Sequence, residues 1–332
     1  MMITRRAFPA LLLSLFVGGL LFSAGCDGGT PDNGTGENGN TAKAASNARP
    51  EKLVFGFVPS AEAATIADSA KPMADFIAKE IGIPVETFTS TDYAGMVEAM
   101  GSGKVDIASF GPFSYVLAND QGAAEVILKT SRRGSFTYPW MFVARADSGI
   151  AKIEDAKGKK IAFVDPSSTS GYLYPAYYLK KQDLDPNDFF SQVIFAGSHD
   201  TAVRNVYQGT VDVAAVYDDV RDKLVKTLPD VKDKVKVLYT TRGTSGEIPN
   251  DAIAVRPGLS EELKTQIKQA LLKYAEVEEG KKTLAEVYDV DALTEAKDED
   301  YNPVRDVAKM MDVNLRMFEK TASPAPSPSP GT

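Results

Sequence analysis

Apolar residues in the first half of the chain alternate between short β-prone runs and longer stretches with helical spacing. Lys52–Val58 is an apolar run closed by Pro59, which suits a buried strand. The helical spacing that follows stops at Gly82, a residue typical of helix ends. The pattern predicts strands at Lys52–Val58, Val85–Thr89 and Val105–Ala108, separated by helices that end near Ile81 and Met100. This β-α-β-α-β order with short connections predicts a mostly parallel sheet flanked by helices.

The second half of the chain repeats this order. Strands are predicted at Lys160–Val164, Val193–Phe195 and Val211–Val216, with helices at Tyr172–Gln182 and Thr201–Tyr207. One segment recurs almost literally, because Gly103–Ala108 (GKVDIA) matches Gly209–Ala214 (GTVDVA) at the equivalent element of each run. We therefore expect an α/β protein with two structurally equivalent lobes.

Two further strand-like segments lie where one lobe would give way to the other. They are Tyr138–Arg145 and Asp251–Arg256, and we interpret them as two crossings that form a hinge. Helices predicted at Glu261–Tyr274 and Asn302–Phe318 would return to the first lobe. Lobe one then comprises residues 51–142 and 252–320, and lobe two comprises residues 143–251. A ligand of such a fold is expected in the cleft between the lobes.

The N-terminal residues have the order of a secretory signal. Arg5 and Arg6 precede an uncharged apolar stretch, and small residues then lead to Cys26. A membrane-spanning helix is the alternative, but the extreme N-terminal position and the small-residue exit favour a signal peptide over residues 1–25. Ala24-Gly25-Cys26 resembles a bacterial lipobox, so we expect lipidation at Cys26 and anchoring to a bacterial membrane, in the periplasm or at the cell surface. Whether export follows the general or the twin-arginine route is open, as is the choice of inner or outer membrane.

Two polar segments flank the expected fold. Residues 26–50 combine the lipidated cysteine with a Gly, Asn and Thr-rich stretch that lacks aromatic residues, which predicts a flexible linker. Residues 321–332 alternate Pro with Ser and Ala and predict a disordered tail.

Charge and rare residues narrow the classes of function. With 37 Lys+Arg against 45 Asp+Glu, the formal net charge is −8, which argues against a nucleic-acid-binding protein. The chain has one Cys and one His, so an internal disulfide, a Cys-rich zinc site and a multi-histidine metal site are excluded.

A run of hydroxyl residues is the strongest chemical signal. Ser167–Ser170 follows a predicted strand, opens a predicted helix and precedes Gly171. Capping a helix needs one such residue, whereas four side-chain hydroxyls beside backbone N–H groups and the positive end of the helix dipole form an anion site. Neither a phosphate-binding P-loop nor a Gly-x-Ser-x-Gly nucleophile motif is present, so the run points to binding an anion rather than to attacking a bond.

Other candidate residues lie at predicted strand ends. His199 begins a helix at the same edge of the second sheet, where its imidazole could donate to an anion. Tyr93 and Tyr138 lie near strand ends of lobe one, although each could equally be a core residue. An acid near the cleft, such as Asp251, would accept a hydrogen bond from a protonated ligand or bind a ligand amine.

Together these motifs resemble the phosphonate, phosphite and phosphate-binding proteins of bacterial ABC importers, which have the type II periplasmic-binding fold. The resemblance covers about residues 52–318, and the matching segments are Asp92–Gly95, Gly103–Pro112 with Ser114-Tyr115, Ser168–Pro175, His199-Asp200 and Ile248–Asp251. By this resemblance the ligand-binding residues are Tyr93, Tyr138, Ser168, Thr169, Ser170, His199 and Asp251. Asp219, or its neighbour Asp218, occupies the position where a relative specialised for aminoalkyl phosphonates has Glu.

The resemblance implies an exported, monomeric solute-binding lipoprotein that captures a small phosphorus oxyanion and delivers it to an ABC permease. It implies no catalytic residue, no metal, no cofactor and no nucleic-acid partner. Phosphate, phosphite, methylphosphonate and aminoethylphosphonate remain open as ligands. Two alternatives are a sensor subunit that signals on binding and an enzyme on the same fold that uses His199 or an Asp as a general base.

Overall fold

Strands and helices alternate along the part of the chain that the computed structural model describes, residues 49–61, 63–288 and 290–313. The strands are β1 (Leu53–Phe57), β2 (Val85–Thr89), β3 (Ile107–Phe110), β4 (Glu125–Ser131), β5 (Thr137–Tyr138), β6 (Trp140–Arg145), β7 (Lys160–Phe163), β8 (Gln192–Phe195), β9 (Val213–Tyr217), β10 (Val235–Thr240), β11 (Ile248–Pro249), β12 (Ala252–Val255) and β13 (Ala292–Glu295). The α-helices are α1 (Ala63–Ile81), α2 (Tyr93–Gly101), α3 (Pro112–Asp120), α4 (Tyr174–Lys180), α5 (Pro186–Phe189), α6 (His199–Gln208), α7 (Val220–Leu224), α8 (Val231–Lys234), α9 (Glu261–Glu276), α10 (Glu278–Tyr288) and α11 (Asn302–Met310). A π-helical turn, Thr169–Leu173, leads into α4, and Ile153–Ala156 and Asp298–Tyr301 are 3-10 turns.

Two sheets form the centres of the two lobes. The first has the order β13-β4-β12-β3-β1-β2 and the second the order β10-β6-β9-β7-β8. Both are mixed rather than mostly parallel as expected. Only the β-α-β units pair in parallel, as β1 does with β2 and β3, and β7 with β8 and β9. The strands that enter or leave a lobe at the hinge, β6 and β12, pair antiparallel with both neighbours, because the chain returns there without a helical crossover.

The first crossing is divided at Pro139. The predicted single strand Tyr138–Arg145 is two strands, since β5 pairs with β11 in a separate two-stranded ribbon and β6 belongs to the second sheet. Proline has no backbone N–H to donate to a ladder, which suits this break. The expected lobe boundary at residue 142 is therefore too late, because Trp140–Phe142 pairs with β9 of the second sheet.

Helix α1 has the expected C-terminal end and a buried apolar face. Ile66, Met73 and Ile77 are buried at helical spacing against the first sheet, and the helix ends at Ile81, directly before Gly82. Helix α3, by contrast, has no amphipathic signal, because every residue from Pro112 to Ala118 is buried. A helix buried on all sides carries no alternation of polar and apolar faces for a sequence pattern to reveal.

The last described helix, α11, contacts both lobes. Arg305 binds Asp120 of α3 at 3.0 Å, while the backbone oxygen of Met310 accepts a hydrogen bond from Lys180 of α4 at 3.0 Å. The helix ends at Met310, and residues 314–318 of the predicted Asn302–Phe318 helix lie outside the described residues, as do residues 1–48 with Cys26 and the tail 321–332.

The repeated sequence segment has the same structural role in each lobe. Gly103 and Gly209 both have left-handed backbone conformations, with φ of 73° and 76°. The aspartate three residues later then accepts a hydrogen bond from the first strand of its own lobe. Asp106 accepts from Val54 N–H and Asp212 from Lys160 N–H, each at 2.8 Å. The repeated segment therefore reflects a backbone conformation that both lobes require, rather than a shared ligand.

Candidate functional site

The hydroxyl run forms a buried turn between β7 and α4. Ser168–Ser170 is almost entirely shielded from solvent, and Gly171 lies so close to Val164 that a Cβ at this position would collide with that side chain. Ser168 Oγ accepts the N–H of Gly171 at 3.1 Å, which is the capping role expected of one hydroxyl. Because this oxygen accepts, its own hydroxyl proton stays available for donation.

Thr169 connects the lobes directly. Its Oγ1 accepts the backbone N–H of Phe113 at 2.8 Å, near the start of α3 in the first lobe. The residue before α3 is Gly111, which has no side chain with which to cap that helix. Thr169 therefore supplies from the second lobe an acceptor that α3 lacks in its own sequence.

Two more hydrogen bonds cross between the lobes. Tyr93 N–H, at the start of α2, donates to Asp165 Oδ2 at 3.4 Å. The N–H of His199, at the start of α6, donates to Ser60 O at 3.2 Å. In all three cases a backbone amide at the start of a helix in one lobe meets an acceptor from the other. This structure is thus a closed form, in which amides at helix starts in each lobe are hydrogen-bonded to acceptors of the other lobe.

His199 is buried, and its ionisation is fixed by its surroundings. Nδ1 accepts the backbone N–H of Tyr217 at 3.3 Å, so the proton of the neutral imidazole resides on Nε2. Burial, assisted by the positive charge of Arg132, lowers the pKa of His199 to about 3. The side chain is therefore a neutral donor through Nε2 at neutral pH.

Two cations that sequence reasoning missed lie in the same site. Arg132, just after β4, forms an ion pair with Asp251, and its guanidinium carbon lies 5.1 Å from the centre of the Tyr138 ring. Lys223 enters from α7. Nothing in the sequence marks either residue, because Arg132 follows a strand that the pattern did not predict and Lys223 looks like a solvated residue among other charges.

Burial shifts the pKa values of two titratable side chains on the first-lobe side of the cavity, the carboxyl group of Asp251 and the phenol of Tyr138. Burial raises the pKa of Asp251, and the charge of Arg132 and its hydrogen bond oppose that rise. Burial also raises the pKa of the Tyr138 phenol, which stays protonated and can donate.

Seven of the eight expected ligand-binding residues line one cavity between the lobes, with about 40 Å³ of interior space. They are Tyr93, Tyr138, Ser168, Thr169, Ser170, His199 and Asp251. The remaining lining residues are Val58, Ser60, Ala61, Ser109, Phe110, Gly111, Arg132, Tyr217 and Lys223. Since a single water needs at least about 10–15 Å³ of such interior space, the cavity admits a group of a few heavy atoms.

Asp219 is the exception, since it does not line this cavity. It pairs with Arg133 at 2.6 Å and with Arg242 at 2.9 Å in a separate charged cluster. Asp218 belongs to the same cluster, where burial and the adjacent charge of Asp219 raise its pKa to about 7. Tyr217, the last residue of β9, reaches the cavity instead.

A family model decides the relationship. The model described as "ABC transporter, phosphonate, periplasmic substrate-binding protein" matches residues 55–301. The chain belongs to this family. The match begins within β1 and includes every cavity residue named above, so the sequence resemblance is confirmed.

Two curated relatives are similar over about two thirds of the chain. The phosphate-import protein PhnD of Mycolicibacterium smegmatis is 33% identical over 233 residues, covering 66% of this chain and 72% of the relative. The phosphonates-binding periplasmic protein of Escherichia coli is 33% identical over 238 residues, covering 70% and 69%.

Solved structures share the fold. A binding-protein component of an ABC phosphonate transporter from Pseudomonas aeruginosa superposes with a TM-score of 0.72 at 29% identity, covering 78% of this chain and 85% of that one. The PhnD1 protein of Prochlorococcus marinus, solved with methylphosphonate, gives a TM-score of 0.71 at 18% identity, covering 79% and 99%. The family consists of exported substrate-binding transport proteins, and no helix among the described residues is long and apolar enough to cross a bilayer.

Proposed function

We propose that this chain captures a small phosphorus oxyanion in the cavity between its lobes and delivers it to an ABC importer. The observation that carries the proposal is the convergence of hydroxyl, imidazole and cationic donors from both lobes on a space of about 40 Å³. Such a space suits a phosphoryl group with at most a small substituent. The names of the two curated relatives, one a phosphate importer and one a phosphonate binder, support the same class of ligand.

The hydroxyl run is proposed to hold the phosphoryl oxygens. Ser168 and Thr169 already accept backbone N–H groups, so each directs its hydroxyl proton elsewhere. Ser170, His199 Nε2–H and the phenols of Tyr93 and Tyr138 add neutral donors to the same cavity. Neutral donors bind an oxyanion without the desolvation cost of a buried cation.

Charge in the cavity favours an anion despite the acidic chain. Arg132 and Lys223 contribute two positive charges, Asp251 one negative charge, and His199 is neutral, so the lining carries one net positive charge. The negative charge of Asp251 is offset by Arg132, with which its carboxylate is paired, so it does not oppose binding of an anion. The charge that matters is local to the cavity and differs in sign from the net −8 of the chain.

Transport follows from closure. A ligand that contacts the hydroxyl run of the second lobe and the tyrosines of the first binds the closed form better than the open form, and so shifts the population toward it. The permease then recognises the closed shape. We further propose that a signal peptide directs export and that a lipid on Cys26 anchors the chain as a monomer. Fatty-acid labelling that is lost in Cys26→Ser tests the anchor.

We propose binding rather than catalysis. A general base would need an imidazole that gains a proton during the reaction, whereas His199 Nδ1 is occupied by a backbone N–H and burial strongly disfavours the imidazolium. Phosphorus NMR of each candidate ligand after prolonged incubation with the protein should show no new species, and appearance of a product would refute this part.

Calorimetric titration tests the proposed ligand class. Phosphate, phosphite, methylphosphonate and aminoethylphosphonate should include at least one that binds with a dissociation constant in the micromolar range or below, and flat traces for all four would refute the proposal. Replacing Ser168, Thr169 and Ser170 together with Ala should abolish binding. Ser260→Ala is the matched control, because it removes a helix-capping hydroxyl on α9, remote from the cavity, and should leave affinity unchanged.

A further inference from the structure

Arg132 is held rigidly beside the cavity by the turn that follows β4. Arg133 and Gly134 have φ of 53° and 70°, as the two central residues of a type I′ hairpin turn require. Arg132 and Ser135 exchange both backbone hydrogen bonds across this turn at 2.9 Å. The N–H of Gly134 also binds Asp291 Oδ2 at 2.7 Å. The backbone from which the guanidinium extends is therefore fixed.

The side chain of Arg132 is equally constrained. It is 12% exposed and forms an ion pair with Asp251, whose side chain is 14% exposed. Its guanidinium lies over the Tyr138 ring, which adds a cation–π contact. A third restraint comes from the chain itself, because Thr130 N–H donates to Asp251 O at 3.0 Å and keeps the two strands adjacent. Arg132 and Asp251 thus form a preorganised pair in the cavity wall.

This pair determines what Asp251 can recognise. A carboxylate in a cavity wall is the natural partner of a ligand ammonium group. Within the described residues that line this cavity, Asp251 is the only carboxylate, and Arg132 neutralises it. A ligand ammonium would have to displace the guanidinium, and it would also add positive charge to a lining that already carries one net positive charge.

We infer that Arg132 is a specificity-determining residue that makes this site select phosphorus oxyanions without an amine and reject aminoalkyl phosphonates. The inference rests on the proposed function and names the subset of ligands within it. Arg132 acts in two ways. It supplies positive charge to the oxyanion, and it occupies the one acidic side chain that could bind an amine.

The test compares a ligand without an amine and a ligand with one in the same set of titrations. Wild-type protein should bind methylphosphonate at least about ten-fold more tightly than aminoethylphosphonate, the ratio expected from one charged hydrogen bond. Arg132→Gln removes the charge, so methylphosphonate affinity should fall and the ratio should shift toward the amine by about ten-fold or more. Arg132→Lys keeps a cation beside Asp251 and should keep the preference against the amine. Lys129→Gln is the matched control, because Lys129 lies on β4, the strand that Arg132 follows, and pairs with Asp300 outside the cavity.

The outcomes separate the inference from the proposed function. Failure of the wild-type protein to bind any of the four phosphorus ligands would refute the function itself. Tight binding with equal affinity for methylphosphonate and aminoethylphosphonate would leave the function intact and overturn the role of Arg132. An unchanged ratio in folded Arg132→Gln protein, verified by circular dichroism and thermal unfolding, would also overturn it. If Arg132→Gln does not fold, the wild-type ratio and the Arg132→Lys ratio still decide the question.

Discussion

Mild acid should destabilise the folded chain through His199. In the folded protein, burial and Arg132 hold the pKa of His199 at about 3, whereas an exposed histidine titrates near 6.5. The unfolded state therefore takes up a proton as pH falls through 6.5, and the folded state does not. The corresponding loss of stability begins at about pH 6.5 and grows until the folded pKa is reached.

The magnitude follows from the separation of the two pKa values. At pH 5 the solution is about 1.5 pH units below the histidine pKa of the unfolded state, so the unfolded state binds a proton that the folded state does not. Relative to pH 7.5, this lowers the free energy of unfolding by about 2 kcal/mol. Such a loss is a sizeable fraction of the free energy of unfolding of a typical domain, about 5–15 kcal/mol.

Urea unfolding at the two pH values measures this effect. Carboxylates also titrate in this range, so the decisive quantity is the difference between the wild type and His199→Gln, whose side chain is neutral throughout. The wild type should lose about 2 kcal/mol more than the variant on acidification. Equal losses in the two proteins would show that His199 can protonate in place, and the neutral-donor role would then have to be abandoned.

Substitutions at three other positions test contacts within and between the lobes. Thr169→Val leaves the N–H of Phe113 without its acceptor and should weaken ligand affinity by about ten-fold or more, whereas Thr169→Ser should retain most of it; calorimetry measures both. Asp219→Asn removes the ion pair between the lobes, but Arg133 is 51% exposed, so affinity should fall by less than about five-fold and the effect should vanish in high salt. Asp106→Asn removes a buried charge that accepts two hydrogen bonds and should lower the free energy of unfolding by about 2 kcal/mol, measured in urea.

Local signals in the sequence predict several residues that line the candidate site. Four hydroxyls at a strand-to-helix turn, and a histidine at the next such turn, mark the same sheet edge because both strands run in parallel. The resemblance adds Tyr93 and Tyr138, and the structure brings these side chains, except that of Ser167, to one cavity. Such residues are found from sequence because their positions depend on short-range connections.

The sequence did not reveal the two cations of the cavity, Arg132 and Lys223, or that Asp219 lies outside it. Arg132 reaches Asp251 only because β4 and β12 pair antiparallel, a contact between residues 119 positions apart. Asp219 failed to reach the cavity because the chain turns after Tyr217, so a shift of two residues moves a side chain into a different cluster. Pairing of distant strands and the direction of a single turn leave no periodic trace in the sequence.

The hydrogen bonds between helix starts and the opposite lobe make the opening of the cleft measurable. The N–H groups of Tyr93, Phe113 and His199 each bind an acceptor in the opposite lobe, so each is released whenever the cleft opens. Their hydrogen–deuterium exchange rates therefore record the opening equilibrium directly, without any attached label. Because closure itself protects these amides, a ligand should slow the exchange of all three by a common factor equal to the change in the closed-to-open ratio.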